Sequence, residues 1–289
     1  MTFFTLILIA LAALLHALWN LLAKKAAAVG AVFVFAYALA ATLVYAPFAI
    51  WLLWSNVAHW TGWMVGAICL SALIHLAYSL SLQRGYQQAD LSVVYPIARG
   101  TGPLLATLGA VVFLHEPVSA LGAVGLALVV SGILLIASNG RLAYLLHPKA
   151  RSGLRWGLQT GLCIAIYTVF DAYSIKVLLI SPLVLDFSSN FLRTVLLTPY
   201  ALKGNTLKNM QGYWGLAVLV GVLSPLSYIL ILYALGLGAP LSVVAPAREL
   251  SMMIGTLFGF IWLKERVSLG RLLGCVILVG GVVLLGLSH

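Results

Sequence analysis

The sequence predicts an all-α, polytopic membrane protein with ten transmembrane helices in two inverted five-helix repeats. Three observations carry this expectation. Of 289 residues, 63% are hydrophobic and only 8% are charged, whereas soluble domains carry roughly 25% charged residues. Apolar stretches that reach the roughly 20 residues needed to cross a bilayer follow one another along the whole chain. Motifs of the first half also recur in the second. The composition, with a mean hydropathy of +1.11, excludes a soluble globular enzyme, a disordered chain and a disulfide scaffold. The net charge of +10 comes from basic residues placed singly or in pairs between apolar runs. That pattern sets membrane topology and does not track phosphates, so the expected surroundings are a lipid bilayer and no nucleic acid.

Ten segments pass the length test, at approximately 2–22, 31–54, 61–83, 91–114, 118–137, 153–175, 182–202, 211–235, 241–263 and 268–287. The first has no basic residue before it and is followed by Lys24 and Lys25, so it reads as a membrane helix and not a cleaved signal peptide. It carries His16, Trp19 and Asn20, three and four positions apart on one helical face. The second and third are flanked by Trp51, Trp54, Trp60 and Trp63, which favour the membrane interface. The third holds His75 and Tyr78. The fourth opens on LSVVYPIAR, with Tyr95, Pro96 and Arg99, and the fifth is rich in small residues (Gly122, Gly125, Gly132).

The longest polar stretch, SNGRLAYLLHPKARS at 138–152, follows and divides the chain into expected repeats 1–147 and 148–289. The sixth segment contains Trp156, Tyr167 and Asp171, and the seventh contains Arg193, with Asp186 nearer its end and expected at the interface. The eighth begins at Trp214 and holds Tyr228; the ninth carries LSVVAPAR, Pro246, Arg248 and Glu249; the tenth is again rich in glycine (Gly274, Gly280, Gly281). The fifth and tenth helices hold no interior charge, and their small residues suit close packing at the edge of the bundle or at a dimer contact. The three cysteines, Cys69, Cys163 and Cys275, have no ligand spacing and read as packing residues.

The repeat aligns Leu91-Ser92-Val93-Val94 with Leu241 to Val244, Pro96 with Pro246, and Arg99 with Arg248 after a one-residue slip. LHEPVS at 114–119 matches LKERVS at 263–268. His16, Trp19, Asn20 and Lys25 fall opposite Tyr167, Phe170, Asp171 and Lys176; Phe35, Thr42 and Pro47 opposite Phe187, Thr194 and Pro199; and Tyr78 opposite Tyr228. A unit with an odd number of helices enters the membrane in the opposite sense when repeated, the architecture of many secondary transporters. Twelve basic residues fall in the loops joining helices 1–2, 3–4, 5–6, 7–8 and 9–10, against essentially Lys176 alone on the other side. That bias predicts cytoplasmic odd-to-even loops and both termini outside.

The ten spans, the five-plus-five repeat and the paired LHEPVS and LKERVS segments resemble the drug/metabolite transporter superfamily in its EamA-type branch. The resemblance covers nearly the whole chain. It implies a fourth helix in each repeat with a mid-helix proline, here Pro96 and Pro246, then a turn carrying a glutamate, here Glu116 and Glu265. It also implies secondary transport in a bacterial-type inner membrane, with export of amino acids or other small metabolites. Related branches carry sugar phosphates, nucleotide sugars or cationic drugs. The small multidrug members have a glutamate within the first helix, where this chain has His16 and Asn20.

Ionisable groups at membrane depth are costly and therefore candidates for function. Arg99, Arg248 and Glu249 are read as substrate-binding, since a planar guanidinium suits a carboxylate or phosphate. The alternative is an internal ion pair that holds the repeats together. Tyr78, Tyr95, Tyr167, Tyr228, His16, Trp19, Asn20 and His75 are further candidate cavity residues, and Pro96 and Pro246 candidate hinges. Asp171 and His16 are candidates for proton coupling, with Arg193 able to neutralise Asp171 instead. Glu116 and Glu265 are expected to cap the helices that follow them. No P-loop, HExxH or phosphate loop occurs, so neither cofactor, metal nor catalytic residue is expected. The predicted function is export of a small zwitterion such as an amino acid, by a monomer or homodimer. The alternatives are a sugar-phosphate or organic-anion exchanger, a multidrug exporter and, remotely, a lipid-modifying enzyme.

Overall fold

A computed structural model describes residues 2–55, 60–89, 91–138, 151–263 and 268–288. These residues are mostly helical, with no strand among them. The helices are α1 (Phe3–Lys25), α2 (Ala31–Ser55), α3 (Gly62–Gln88), α4 (Leu91–Phe113), α5 (Ala120–Ser138), α6 (Arg151–Lys176), α7 (Pro182–Ala201), α8 (Trp214–Gly236), α9 (Leu241–Ala247), α10 (Leu250–Leu263) and α11 (Leu269–Leu287). By length and composition, seven of them (α1, α2, α3, α4, α6, α8 and α11) suffice to cross a membrane. Local chemistry sets several starts. Thr61 accepts from the Met64 N–H at 3.3 Å before α3, Ser119 from the Gly122 N–H at 3.1 Å before α5, and Ser268 from the Arg271 N–H at 3.3 Å before α11. Pro182 opens α7, where its missing N–H needs no partner.

One expectation of a continuous helix fails. The ninth span, 241–263, is broken into α9 and α10 at Arg248 and Glu249. Pro246 has no N–H to give to the Ser242 carbonyl. Beyond it the backbone changes to tighter bonds: Glu249 N–H to Pro246 O at 3.0 Å, Ser251 to Arg248 O at 3.2 Å, and Met252 to Glu249 O at 2.9 Å. The corresponding α4 runs unbroken past Pro96, whose side chain lies outside those described.

The outer surface is apolar, with Phe3, Leu43, Phe48, Trp51, Trp54, Trp63, Val112 and Val276 exposed. The interior is the polar part, holding Arg99, Asp171, Asp186, Arg193, Arg248 and Glu249. That inversion suits a lipid solvent, in which helices associate through small residues and polar contacts. α5 packs on α11 with backbones in close approach: a Cβ on Gly132 would stand 2.7 Å from the Gly274 carbonyl, and one on Gly281 2.6 Å from that of Gly125. α4 packs as closely on α6 through Gly153, Gly157 and Gly161, which face Val93, Ile97 and Thr101. Cys69 is exposed on the outer face, not packed inside; Cys163 and Cys275 are half-buried.

The remaining neighbours include α1 with α8 and α10, α2 with α7 and α8, and α3 with α6 and α7. Exchanging the halves turns α1–α8 into α6–α3 and α2–α8 into α7–α3, so the pairing is consistent with the repeat.

Candidate functional site

Two buried polar centres lie between the helices. The first forms where α4 meets the break between α9 and α10. Arg99, one turn beyond Tyr95 on α4, places its guanidinium 5.6 Å from the Tyr95 ring centroid. Its Nε lies 2.7 Å from Glu249 Oε2, and its outer nitrogen donates to Ser251 Oγ at 2.8 Å. Arg248 Nε approaches Glu249 Oε1 at 3.8 Å. Glu249 is fully buried, yet neither carboxylate oxygen nor either Nε makes an aligned hydrogen bond among the described residues. The charges are in contact while the directional bonds are not made. With two guanidiniums and one carboxylate, the centre carries one formal positive charge in excess.

His16 belongs beside this centre. It lies within electrostatic range of Arg99 and Arg248. Its Nδ1 accepts from Trp19 Nε1 at 3.2 Å, and its buried Nε2 has no hydrogen-bond partner among the described residues. Asn20 donates to the His16 carbonyl at 2.7 Å. The three residues of the first helix thus act together, as their spacing predicts, with the imidazole turned inward.

The second centre is built on α3, α6 and α8 around Asp171, which is fully buried. Ser71 donates to Oδ1 at 2.6 Å, Tyr228 donates to Oδ2 at 2.6 Å, and His75 Nε2 lies 2.9 Å from Oδ2. The expected neutralising partner, Arg193, bonds elsewhere: to Ser79 Oγ at 3.2 Å and to Asn190 Oδ1 at 2.7 Å. Asn190 in turn donates to Asp186 at 2.8 Å. Asp186, expected at the interface, is buried instead, because the turn of α7 that carries it faces the bundle. Ser79 closes the chain by donating to the His75 carbonyl at 2.8 Å.

Tyrosine rings join the two centres. Tyr167 stacks on His75 with centroids 4.1 Å apart, and Tyr78 and Tyr228 meet Tyr167 edge-on at 5.4 and 5.8 Å. Tyr167 is also within electrostatic range of both Arg99 and Arg248.

A third cluster lies at one end of the bundle. Glu116 was expected to cap α5, but Ser119 does that, and Glu116 reaches across to the second half. Its oxygens accept from the N–H groups of Leu241 at 2.8 Å and Ser242 at 2.9 Å, and Lys176 Nζ lies 2.7 Å away. Burial alone would raise the Glu116 pKa, but the Lys176 ammonium and the two N–H donors outweigh it and hold the carboxyl below its ordinary value. Glu265, its repeat counterpart, lies outside the described residues.

Sequence reasoning missed Ser71, Ser79, Asn190, Ser251 and the reach of Glu116. The spacing of Ser71, His75 and Ser79, four residues apart, would have revealed a polar face on α3. No group of metal-ligating side chains occurs among the described residues.

Comparison with known proteins accounts for this architecture. A crystal structure of another protein superposes with a TM-score of 0.72, covering 98% of this chain and 96% of its own, at 15% sequence identity. At that identity the likeness concerns the fold. A family model, that of the EamA-like transporter family, matches residues 151–287. Together with the apolar helices, that match makes the protein a multi-pass membrane protein. The second half of the chain is thus similar to the EamA-like transporter family, in the drug/metabolite transporter superfamily.

Proposed function

We propose that the protein is a secondary transporter that exports a small organic metabolite, an amino acid or similar zwitterion, by alternating access. The observation that carries this reading is the first polar centre, buried guanidinium and carboxylate groups with unmade hydrogen bonds at a break in a membrane helix. Discontinuous helices with exposed backbone ends are where many transporters hold their substrates. Arg99 and Arg248 bind the substrate carboxylate, which competes with Glu249. Tyr78, Tyr95, Tyr167, Tyr228, His16, Trp19, Asn20 and His75 surround the rest of the molecule. Pro246 and, in the other half, Pro96 are the positions about which the helices rock. One excess positive charge suits one carboxylate, and this favours a zwitterion over a multiply charged sugar phosphate.

The two halves are inverted repeats, the membrane is a bacterial-type inner membrane, and both termini lie outside the cytoplasm. Protons are the coupling ion, with Asp171 and His16 as titrating candidates. A thermal-stability screen of the purified protein over amino acids, sugar phosphates and cationic dyes, followed by uptake into liposomes, tests the reading. Amino acids should stabilise the protein and be transported. Stabilisation by sugar phosphates or dyes alone would overturn the substrate class.

A further inference from the structure

The second polar centre has a charge imbalance opposite in sign to that of the first. Arg193 is connected to Asp186 through Asn190, by bonds of 2.7 and 2.8 Å, so that pair is neutral without help. Asp171 then stands as a buried carboxylate whose partners, Ser71, Tyr228 and neutral His75, supply hydrogen bonds but no positive charge. A buried uncompensated carboxylate costs several kcal/mol, so the centre gains from taking up one positive charge. Two carriers of such a charge are at hand. One is a proton, which on His75 would make an imidazolium 2.9 Å from Asp171. The other is the ammonium group of a zwitterion whose carboxylate lies on Arg99 and Arg248. Tyr167 touches His75 on one side and is in range of both guanidiniums on the other, so one small molecule can address both centres.

We propose that the Asp171–His75 pair is a single-proton site and that the ammonium group of the substrate competes with the proton for it. The proposal rests on the transport reading above and adds the stoichiometry. When the ammonium donates to the Asp171 carboxylate, the imidazolium of His75 gives up one proton to water and the imidazole returns neutral. When the zwitterion departs, a proton from the other side restores the imidazolium. One proton enters for each zwitterion exported, so each turnover moves one positive charge inward. The charged and titratable groups around His75 are Asp171 and Tyr167 on α6, Arg193 and Asp186 on α7, Tyr228 on α8, Arg248 at the end of α9, Tyr37 on α2, and Tyr78 on its own helix. Of these, only Asp171 contacts the imidazole with an opposite charge.

The test counts protons on binding. Each of the twenty standard amino acids, and N-acetyl-phenylalanine as a carboxylate without an ammonium, is titrated into purified wild-type protein by calorimetry. The titrations use two buffers of different ionisation enthalpy, at about pH 6. The amino acid that binds should release up to one proton per molecule, falling toward zero as pH rises above the imidazole range. N-acetyl-phenylalanine should release none. In His75→Gln, which keeps a donor toward Asp171 but cannot titrate, the binding that remains, weaker or not, should release no proton and show no pH dependence. Binding without proton release in the wild type, or equal release by the acetylated compound, overturns this proposal and leaves the carboxylate site standing. Failure of all twenty to bind overturns both.

Discussion

At the scale of single residues, Arg99 and Arg248 each touch the buried Glu249 carboxylate while their Nε atoms make no aligned hydrogen bond. Removing one partner of a buried ion pair typically costs about 3–5 kcal/mol, because the remaining charge is stranded. Arg99→Ala should therefore lower stability and also abolish liposome uptake, with folded protein still recoverable because Arg248 remains to hold Glu249. Arg99→Lys should restore yield but little transport, since a point charge cannot replace a planar fork. Normal uptake by both the Arg99→Ala and Arg248→Ala proteins would remove the carboxylate site. Glu249→Gln tests the same centre from the other side. It deletes the internal competitor, so a substrate carboxylate should bind more tightly, by about tenfold for 1.4 kcal/mol. Release and turnover should slow. Equilibrium binding and initial transport rates, measured on one preparation, separate the two effects; weaker binding would show that Glu249 assists the substrate.

At the scale of helices, close approach decides where the side chains of the site stand. A Cβ on Gly157 would lie 2.7 Å from Ile97 Cβ and 2.9 Å from the Val94 carbonyl, whereas one on Gly66 meets nothing within 4 Å. Gly157→Ala should cost about 1–3 kcal/mol by overpacking and move Tyr167 away from Arg99, while Gly66→Ala should be neutral or slightly stabilising. Thermal unfolding in detergent compares the two directly, and equal effects would mean that the α4–α6 contact does not set the site. Glu116 makes a different prediction. Its folded pKa is depressed, so the stability it confers is complete above the ordinary carboxylate range and is lost as pH falls through the folded value. The Tm gap between wild type and Glu116→Gln should be present at about pH 6 and shrink at about pH 3.5; a gap that widens in acid would contradict the assignment. The helices themselves were legible from apolar length, and Arg99, Arg248, Glu249 and Asp171 from the rarity of charge at membrane depth. The break at Arg248 was not, because Pro246 and Pro96 occupy matching positions and only one interrupts its helix. Nor was the partner of Asp171. His75 and Arg193 both offered a positive or donor group, and only the relative rotation of α3 and α7 chooses between them.

At the scale of the whole molecule, contacts between distant loops bear on topology. Ten alternating spans require the turns after the second, fourth, sixth and eighth to share one side. Glu116, Lys176, Leu241 and Ser242 come from three of those turns, and they meet. On the opposite end, Trp156 donates to Gln88 at 3.1 Å and Arg271 to the Ile136 carbonyl at 3.2 Å, joining the connections that carry nearly all the basic residues. The side bearing Lys176 has its one basic residue cancelled by Glu116, so the basic bias between the two faces is sharper than a count of lysines and arginines implies. Positive residues are retained in the cytoplasm during insertion, so the expectation is that the Glu116–Lys176 end, and with it both termini, lies outside. A fluorescent protein that matures only in the cytoplasm and a phosphatase active only outside, each fused in turn to the C-terminus, read this directly. Phosphatase activity with little fluorescence is the expected outcome, and strong fluorescence would reverse the orientation. Reversal would leave both polar centres in place, since their geometry does not depend on which face is cytoplasmic. It would, however, put the Glu116–Lys176 contact on the cytoplasmic side, where substrate enters for export, so that the end it holds together would be the loading end.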